Sequence, residues 1–296
     1  MNHAITILDG GMGRELMRIG APFRQPEWSA LALMDEPSSV VRAHTNFIEA
    51  GAAVITTNSY AIVPFHIGDE LFATDGRRLA EVSGRCAREA AAGRDVVVAG
   101  SLPPLFGSYR PDLFDAVSAP AIIDPLVAGL ADHVDLWLGE TLGSIAEARE
   151  VRAAIDRAGV GDRPLWISYT LDDHHEGVLR SHEPVADAVH AAVELGAVAV
   201  LFNCCQAETI TAAMTTAAQV VAGRAQIGGY ANRFVSAHTE TGGANERLST
   251  FRDDLDPDAY RAFTDRWVSM GATIIGGCCG MEPGHIAQLA ASVAGT

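Results

Sequence analysis

The sequence predicts an α/β fold, a single (β/α)₈ barrel over residues 1–296 with elaborated loops on its C-terminal face. Three observations predict this fold. Eight short β-branched runs alternate with Ala-rich amphipathic segments, a glycine recurs where a helix passes into the next strand, and the segments that follow strands are longer than those that precede them. The length of 296 residues also fits, because barrels of this class use about 250 residues as one domain.

The predicted strands and helices alternate along the whole chain. Apolar, β-branched runs predict strands at Ala4–Leu8, Ala53–Thr57, Val96–Gly100, Val134–Leu138, Leu165–Tyr169, Val198–Phe202, Gln226–Gly229 and Thr273–Gly276. Helical periodicity follows at Ser39–Ala50, Leu71–Ala91, Ala119–Ala131, Ile145–Ala158, Val185–Leu195, Ala207–Val221, Asp258–Met270 and Pro283–Val293. Because a count of strands does not show that a sheet closes on itself, a doubly wound open sheet is the alternative architecture.

Three helix-to-strand junctions have nearly the same sequence: Glu49–Ala52, Glu194–Ala197 and Ser269–Ala272. Each places a glycine directly after a helix, where a left-handed residue is favoured, and a buried strand follows at once. Helix, glycine and strand in this order form the turn of a parallel α/β sheet.

The connections from strand to helix are longer than the reverse connections. Four of them stand out: Asp9–Glu36, Ser101–Ser118, Thr170–Pro184 and Tyr230–Pro257. In a parallel barrel these loops share the face formed by the carboxyl ends of the strands, so we expect the functional residues there.

The composition is that of a globular protein with an acidic surface. Hydrophobic residues make up 48% of the chain and charged residues 20%, which excludes a disordered or fibrous protein. The formal net charge of −16 opposes binding to nucleic acid, and no apolar run approaches the ~18 residues of a membrane span. We therefore expect small-molecule substrates, no nucleic-acid or membrane partner, and a monomer or small homo-oligomer.

The cysteine pattern and the N-terminal segment predict a cytoplasmic protein. Met1–Asp9 lacks the basic region and the long apolar core of a signal peptide. Four of the five cysteines fall in two adjacent pairs, Cys204-Cys205 and Cys278-Cys279, whereas secreted disulfide frameworks use wider spacings. We expect these thiols to stay reduced.

Polar, acidic and thiol side chains follow the predicted strands. In chain order the strand ends carry Asp9–Gly13, Thr57–Tyr60, Ser101, Glu140-Thr141, Thr170, Asn203–Cys205, Tyr230–Asn232 and Gly277–Gly280. Loops are polar in general, which accounts for Ser101 and Thr170 but not for thiols and glycine clusters. The strand ends therefore hold the candidate site.

The cysteines after the sixth and eighth strands suggest a catalytic metal site. The small neighbours in Gly277–Gly280 let the backbone bend and present the sulfur atoms of Cys278 and Cys279 to one point. With one thiolate from the sixth strand they would give zinc three ligands and leave a fourth position open, which is typical of catalytic sites. Buried apolar thiols and a strained vicinal disulfide with a redox role are the alternatives.

Two carboxylates are placed to bind a substrate ammonium group. Asp9 follows the first strand in a glycine-rich segment that lacks the dinucleotide-binding spacing, and Glu140 ends an otherwise apolar strand. Either acid alone could be a helix cap or a loop charge, but two acids beside thiolates favour an amino-acid substrate. Asn58 and Asn232, after the second and seventh strands, are further candidate substrate contacts.

Four sequence blocks resemble those of a known family. Ile7–Gly13, Thr57–Tyr60, Asn203-Cys204 and Gly276–Gly280 are similar to the signature blocks of the zinc-dependent homocysteine S-methyltransferases, in the same order and over nearly the whole chain. The resemblance implies a (β/α)₈ barrel that moves a methyl group from a cationic donor to the thiolate of homocysteine, giving methionine. It also implies Zn²⁺ as the cofactor, with no catalytic residue beyond the zinc-activated substrate thiolate.

Residue by residue, the resemblance assigns zinc to Cys204, Cys278 and Cys279. It assigns the amino-acid part of homocysteine to Asp9, Gly10, Thr57 and Glu140. Three positions depart from the usual pattern: Cys205 adds a thiol, Ala231 stands where many members have proline, and Met281-Glu282 replaces small hydroxyl residues. None of these departures removes a required group.

The methyl donor is open between S-methylmethionine, betaine and S-adenosylmethionine. A cationic donor suits an aromatic wall, and the strand-end loops carry Trp28, Tyr60, Phe65, Tyr109 and Tyr230, although ordinary packing accounts for each of them. The family's betaine enzymes have a longer C-terminal tail than this chain, which favours S-methylmethionine. Selenohomocysteine is an alternative acceptor, and a non-catalytic or redox barrel with a structural cysteine site is the alternative function.

Two loops carry residues to which no role is assigned. Asp172–Glu176, together with His182-Glu183, could suggest a second metal, but the segment is more typical of a solvated polar loop. The proline-bounded loop Ser101–Asp112 could close over the donor or could be a rigid connection.

Overall fold

The computed structural model describes residues 4–235 and 251–294. Within them, eight parallel strands form one sheet in the order β1-β8-β7-β6-β5-β4-β3-β2. The strands are β1 (Thr6–Ile7), β2 (Val54–Thr56), β3 (Val97–Leu102), β4 (Leu136–Leu142), β5 (Leu165–Tyr169), β6 (Ala199–Asn203), β7 (Gln226–Tyr230) and β8 (Ile274–Ile275). Strands β2 to β8 therefore pair in sequence order and β1 pairs with β8, as in a barrel.

The first and second strands bring the sheet nearly to closure. Leu8 and Val54 form an isolated parallel bridge, and the backbone N–H of Asp9 donates to the carbonyl of Val54 at 3.0 Å. The N–H of Ala53 donates in turn to the carbonyl of Ile7 at 2.8 Å. The predicted (β/α)₈ barrel is confirmed, because a doubly wound sheet would not have this strand order.

Eleven α-helices lie in the described residues. They are α1 (Met12–Arg18), α2 (Ala30–Asp35), α3 (Pro37–Glu49), α4 (Pro64–Ile67), α5 (Asp69–Ala91), α6 (Ala119–Leu130), α7 (Ile145–Arg157), α8 (Val185–Glu194), α9 (Ala207–Val221), α10 (Pro257–Ser269) and α11 (Pro283–Ala294). Eight match the predicted helices to within about two residues at each end. The sequence did not predict α1, α2 and α4, because segments of 7, 6 and 4 residues are too short to show helical periodicity.

The glycine motif at the helix-to-strand junctions has the predicted conformation. Gly51, Gly196 and Gly271 have φ values of 102°, 81° and 108°, which a residue with a Cβ adopts only at a cost. Each glycine ends a helix and turns the chain into the next strand.

The fourth strand differs from its prediction in a way that matters for the site. The sequence places it at Val134–Leu138, whereas β4 spans Leu136–Leu142 and its pairing with β5 shifts register between Gly139 and Leu142. Glu140 therefore lies within the strand, two residues beyond the predicted boundary at Leu138.

A small apolar cluster fills the barrel interior below the mouth. It contains Leu8, Val54, Ala99, Leu136, Leu138, Trp166, Ala199, Leu201, Tyr230 and Ile274, which come from all eight strands or their ends. A larger cluster lies between the strands and the surrounding helices. In the described part of the chain, none of the helices is long and apolar enough to cross a membrane.

Candidate active site

A cavity of about 120 Å³ lies among the loops at the carboxyl ends of the strands. Among the described residues, every strand end except that of β5 contributes to its lining. Of the predicted site residues, those in the lining are Asp9, Gly10, Thr57, Asn58, Glu140, Cys204, Cys278 and Cys279. Asn232 is not in the lining. Residues 236–250 of the predicted loop Tyr230–Pro257 lie outside the described residues.

Three sulfur atoms converge on one side of this cavity. The Sγ atoms of Cys204, Cys278 and Cys279 all lie within 4.8 Å of one another, and those of Cys204 and Cys279 are 3.6 Å apart. Zinc–sulfur bonds of about 2.3 Å in a tetrahedron separate neighbouring sulfur atoms by about 3.8 Å. Three thiols at this spacing therefore fit a borderline divalent cation of the zinc class, with one position left for a substrate atom.

The turn that carries two of the thiols packs tightly against the end of β1. A Cβ atom at Gly11 would lie 2.8 Å from the Cys278 carbonyl oxygen and 3.2 Å from the Cys279 Cα. The N–H of Gly11 donates to the carbonyl of Met281 at 2.9 Å. The glycine-rich segment after β1 therefore acts through close backbone approach, and it holds the cysteine turn in place.

The other two cysteines lie away from this cluster. Cys205 is fully buried in the larger apolar cluster, although it directly follows Cys204. Cys204 has a φ of 54°, and this left-handed backbone separates the directions of the two side chains. Cys86 lies on α5, where its Sγ contacts the carbonyl oxygen of Pro37 at 3.6 Å.

Tyr109 reaches the sulfur cluster from the loop after β3. Its phenol O–H donates to Cys204 Sγ at 2.8 Å. Burial raises the pKa of Tyr109 well above its ordinary value, so the phenol stays a donor. The guanidinium of Arg180 lies over the Tyr109 ring, 5.1 Å from its centroid. Tyr109 was predicted only as a possible aromatic wall residue, and its contact with a cysteine was missed.

The three thiols share their protons unequally. Hydrogen bonds from Cys278 and Cys279, and a further one from Tyr109, lower the pKa of Cys204 well below its ordinary value despite its burial. The same contacts with Cys204 raise the pKa of Cys278 and of Cys279. Cys204 is therefore the first of the three to become a thiolate.

Two buried carboxyl groups lie on the other side of the cavity. Asp9 accepts hydrogen bonds from the backbone N–H of Thr56 at 2.8 Å and from its hydroxyl at 3.2 Å. Glu140 accepts from the hydroxyls of Ser101 and Tyr230. Both acids are held by neighbouring strands, so their positions are fixed before a ligand binds.

Burial weakens the acidity of both groups. Desolvation raises the pKa of Asp9 well above its usual value, although hydrogen bonds from Thr56 oppose the shift. Desolvation also raises the pKa of Glu140 to about 7, and the charge of Cys204 adds to the effect. A ligand ammonium group would replace the missing solvation and restore the charged form of both acids.

Asn203 joins the two sides of the cavity from the end of β6. Its side-chain oxygen accepts from Ser168 and from the N–H of Thr141, and its amide donates to Thr141 Oγ1 at 2.7 Å. The amide also lies 3.7 Å from Cys278 Sγ. These bonds hold Thr141 at a φ of 61° and thereby fix the neighbouring Glu140.

The remaining predicted contacts have structural partners. Thr57 Oγ1 accepts from the N–H of Ser101 at 3.0 Å, and the Asn58 amide donates to the carbonyl of Ser29 at 3.0 Å. The side-chain oxygen of Asn232 accepts from Gln206 and from the N–H of Phe234. Asn232 therefore orders the loop after β7.

Aromatic rings form the outer wall of the cavity. The predicted Trp28, Tyr60 and Tyr109 line it, whereas Phe65 and Tyr230 are not in its lining. Tyr230 lies inside the barrel with its hydroxyl on Glu140. The residues of this wall that were not predicted are Phe23, Phe234, Phe251 and the cation Arg14, whose guanidinium lies 4.0 Å from the centroid of Phe251.

Backbone strain is concentrated around the cavity. Six non-glycine residues in the described chain have positive φ, and four of them, Trp28, Tyr109, Thr141 and Cys204, line the cavity. Such conformations cost of order 1–3 kcal/mol each and persist where the surroundings impose them, commonly at functional sites. Bulky side chains with positive φ give no local sequence signal, which is why the details of these loops could not be predicted.

Comparisons with known proteins show the family of the chain. A family model described as Homocysteine S-methyltransferase matches residues 6–293. A homocysteine S-methyltransferase of Escherichia coli (strain K12) is 29% identical, over 97% of this chain and 94% of the relative. A selenocysteine methyltransferase of Astragalus bisulcatus is 26% identical, over 95% of this chain and 90% of the relative. The metallated form of the homocysteine methyltransferase MmuM from Escherichia coli matches with a TM-score of 0.80 at 27% identity, covering 98% of this chain and 97% of that one.

Proposed function

The chain belongs to the homocysteine S-methyltransferase family and is a transferase of the EC 2.1.1 type, and from this premise we propose that it uses zinc and takes its methyl group from S-methylmethionine. The observation that carries the proposal is one cavity with three converging thiols on one side and two buried carboxyl groups on the other. Homocysteine carries a thiol at one end, which a metal ion on the three cysteines can bind, and an ammonium group at the other end, which the two acids can bind.

Homocysteine binds with its sulfur toward Cys204, Cys278 and Cys279 and its ammonium group toward Asp9 and Glu140. Zinc, when bound, lowers the pKa of the substrate thiol and favours the thiolate, which is the nucleophile. The two carboxylates orient the amino acid, so that the sulfur faces the donor. Alignment of donor and acceptor is the protein's main contribution to an in-line displacement.

The methyl transfer balances without a further reactant. The homocysteine thiol loses its proton to solvent, and the thiolate sulfur forms a bond to the methyl carbon as the bond from that carbon to the donor sulfonium breaks. The electron pair of the broken bond stays on the donor sulfur, which becomes a neutral thioether. With S-methylmethionine as donor, two molecules of methionine result.

The outer wall of the cavity supports a cationic amino-acid donor. Trp28, Tyr60 and Tyr109 offer aromatic faces to a sulfonium centre beside the thiol cluster. Arg14 is placed in the same wall and can pair with a donor carboxylate. Thiols that must stay reduced to bind a metal support a cytoplasmic location.

A donor panel tests the proposal. Zinc-loaded protein is incubated with homocysteine and one methyl-labelled donor: S-methylmethionine, S-adenosylmethionine, betaine or methyltetrahydrofolate. We expect labelled methionine from S-methylmethionine, and none from the Cys279→Ser variant under the same conditions. Labelled methionine from another donor alone would overturn the choice of donor. Labelled methionine from none of the four would overturn the function.

The same assay separates the two candidate acceptors. One relative is named a selenocysteine methyltransferase, so we compare a selenol acceptor, selenohomocysteine, with homocysteine. We expect both acceptors to bind through the same contacts, because Asp9 and Glu140 bind the ammonium group and do not contact the sulfur or selenium atom. The ratio of kcat/KM values for homocysteine and selenohomocysteine gives the preference.

A further inference from the structure

A second group of metal-ligating side chains lies on the loop between β5 and α8, residues 170–184. Asp172, His175 and His182 each offer one ligand atom, and these atoms lie within 4.8 Å of one another. This is the strand-end loop that contributes no residue to the described lining of the active-site cavity. The methyl transfer proposed above makes no use of these three residues.

The loop is built as a compact unit. Leu171 and Leu179 form one antiparallel bridge, and Val178 and Pro184 form another. Asp172 Oδ1 accepts from the N–H groups of His174 and His175 at 2.8 and 3.2 Å, which leaves Oδ2 to face the two imidazoles. The three side chains are therefore brought together by backbone that is already ordered.

Both distances suit a coordination shell, whereas only the shorter of them also suits a hydrogen bond. Asp172 Oδ2 lies 3.0 Å from His175 Nδ1 and 3.7 Å from His182 Nδ1. Metal–ligand bonds of about 2.0–2.1 Å in a tetrahedron separate neighbouring ligand atoms by about 3.3 Å, which lies between these two values. The distance of 3.7 Å is too long for a hydrogen bond.

The backbone at His182 adds to this argument. His182 has a φ of 65°, and it is one of the six described non-glycine residues with positive φ. Four of the others line the active-site cavity, and Ala222 ends α9. Such a conformation persists where the surroundings impose it, and at His182 the ring meets that of His175 edge to face with centroids 5.3 Å apart.

We propose that Asp172, His175 and His182 bind a divalent cation of the zinc class, separately from the three-cysteine site. Two imidazole nitrogens and one carboxylate oxygen suit zinc and its borderline neighbours rather than magnesium or calcium, which prefer oxygen ligands. The histidine side chains are 66% and 65% exposed, so water completes the coordination.

The position of the site indicates what the ion does. Asp173 accepts from the N–H of Gln206 at 2.8 Å and from Thr209 at 2.9 Å, and its carboxylate pairs with Arg180 at 3.1 Å. Arg180 in turn covers the ring of Tyr109. Asp173 and Arg180 lie in the sequence between Asp172 and His182. An ion bound to residues 172 and 182 therefore restrains the loop segment that carries both residues and supports Tyr109.

Zinc stoichiometry tests the proposal in the full chain. Wild type and the His175→Gln/His182→Gln variant are dialysed against a slight excess of zinc at neutral pH, and bound zinc is measured by mass spectrometry. We expect the variant to hold about one ion per chain fewer than wild type. The matched control is His190→Gln, which removes an exposed histidine on α8 that pairs with Glu194, and it should keep the wild-type value.

The difference in zinc content between wild type and the double histidine variant does not depend on the cysteine site. If the proposed methyl transfer fails and the thiols hold no zinc, the loss on changing both histidines should still be about one ion. Equal zinc content in wild type and the double variant overturns the second site, whatever the activity. Asp172→Asn replaces the ligand atom Oδ2 with an amide nitrogen, so it should also lose the ion. It keeps the Oδ1 acceptor that orders the loop, so the fold should be retained.

Proteolysis supplies a second readout. Arg180 is a trypsin site within the loop, and bound zinc should slow cleavage after it in wild type. Zinc should give no such protection in the His175→Gln/His182→Gln variant, whereas His190→Gln should be protected like wild type. Equal protection of the double variant and wild type would show that zinc acts elsewhere, and would overturn the proposal.

Discussion

The two sides of the active-site cavity differ in chemistry and in the way they are built. The oxygen side consists of Asp9 and Glu140, which strands hold through hydrogen bonds from Thr56 and Ser101. The sulfur side consists of Cys204, Cys278 and Cys279, which tight backbone turns and a left-handed residue bring together. One side therefore depends on side-chain hydrogen bonds and the other on backbone geometry.

The difference explains why each side calls for a cation. Burial raises the pKa of both acids, and the charge of Cys204 raises that of Glu140 further. In the proposed function, an ammonium group on the oxygen side and a metal ion on the sulfur side would together offset this buried negative charge. Homocysteine supplies the first cation itself, which favours binding of an amino acid over that of a simple thiol. Mutations on the two sides should therefore have different effects, on zinc content for the sulfur side and on homocysteine affinity for the oxygen side.

The largest effect is expected from breaking the sulfur side. Cys204→Ser, Cys278→Ser and Cys279→Ser should each lose the zinc of this site and lower methyl transfer by more than about 100-fold, because two thiolates lack the charge and geometry to hold the ion. Zinc per chain is measured in the His175→Gln/His182→Gln background, so that only the cysteine site is counted.

Two cysteines serve as controls for this series. Cys205→Ser and Cys86→Ser should keep zinc and activity, because both side chains are buried away from the cluster. Zinc lost with Cys205→Ser but kept with Cys204→Ser would reverse the assignment of the pair. Zinc kept in all five variants would remove the metal from the proposed function.

A smaller effect is expected from breaking the oxygen side. Glu140→Ala should weaken homocysteine binding by about 10–100-fold, since a hydrogen bond to a charged group contributes about 1.5–3 kcal/mol. Its zinc content should stay at the wild-type value, because Glu140 does not belong to the group of metal-ligating thiols. Homocysteine titration and metal analysis of the same sample check both parts.

Glu147 provides a matched control for Glu140. Burial raises its pKa to about 7 as well, but its carboxylate caps α7 by accepting from the N–H of Gly143 and lies outside the described cavity lining. Glu147→Gln should leave homocysteine affinity unchanged. If it weakened binding as much as Glu140→Ala, loss of a buried acid would disturb the barrel in general, and the specific role of Glu140 would be wrong.

The oxygen side should also make ligand binding depend on pH. The pKa of Glu140 is raised to about 7, so its anion, which binds the ammonium group, is scarce at pH 6 and predominates at pH 8. Methionine, which has no thiol to ionise, should therefore bind roughly tenfold more tightly at pH 8 than at pH 6. The Glu140→Gln variant should show a weaker dependence, because only Asp9 remains to titrate there. Affinity that falls as the pH rises would contradict it.

The two sides also differ in how far the sequence could predict them. The strand ends place Asp9, Glu140, Cys204, Cys278 and Cys279 at one mouth, because all strands of a parallel barrel end on the same face. Hydrophobic periodicity and glycine turns suffice for that much of the fold and of the site.

The loops that complete the cavity were beyond such reasoning. Phe234 and Phe251 stack with centroids 5.4 Å apart although sixteen positions separate them in the numbering, and nothing in the local sequence pairs them. Left-handed backbone at Tyr109 and His182 likewise depends on tertiary contacts rather than on residue type. The backbone conformations at such residues determine which side chains come into contact, and those conformations depend on the folded structure.

The smallest predicted effect concerns Tyr109, the residue through which the loop after β3 touches the sulfur side. Tyr109→Phe keeps the ring under Arg180 and removes only the hydroxyl that donates to Cys204 at 2.8 Å. Losing one hydrogen bond of about 1 kcal/mol should weaken zinc binding roughly fivefold and shift the thiolate charge-transfer absorption of the cobalt-substituted protein. Tyr60→Phe is the control, because its hydroxyl pairs with Ser108 at 2.9 Å and its loss should leave the spectrum unchanged. If Tyr109→Phe and wild type have the same zinc affinity and the same spectrum, the loop packs against the sulfur side without tuning it.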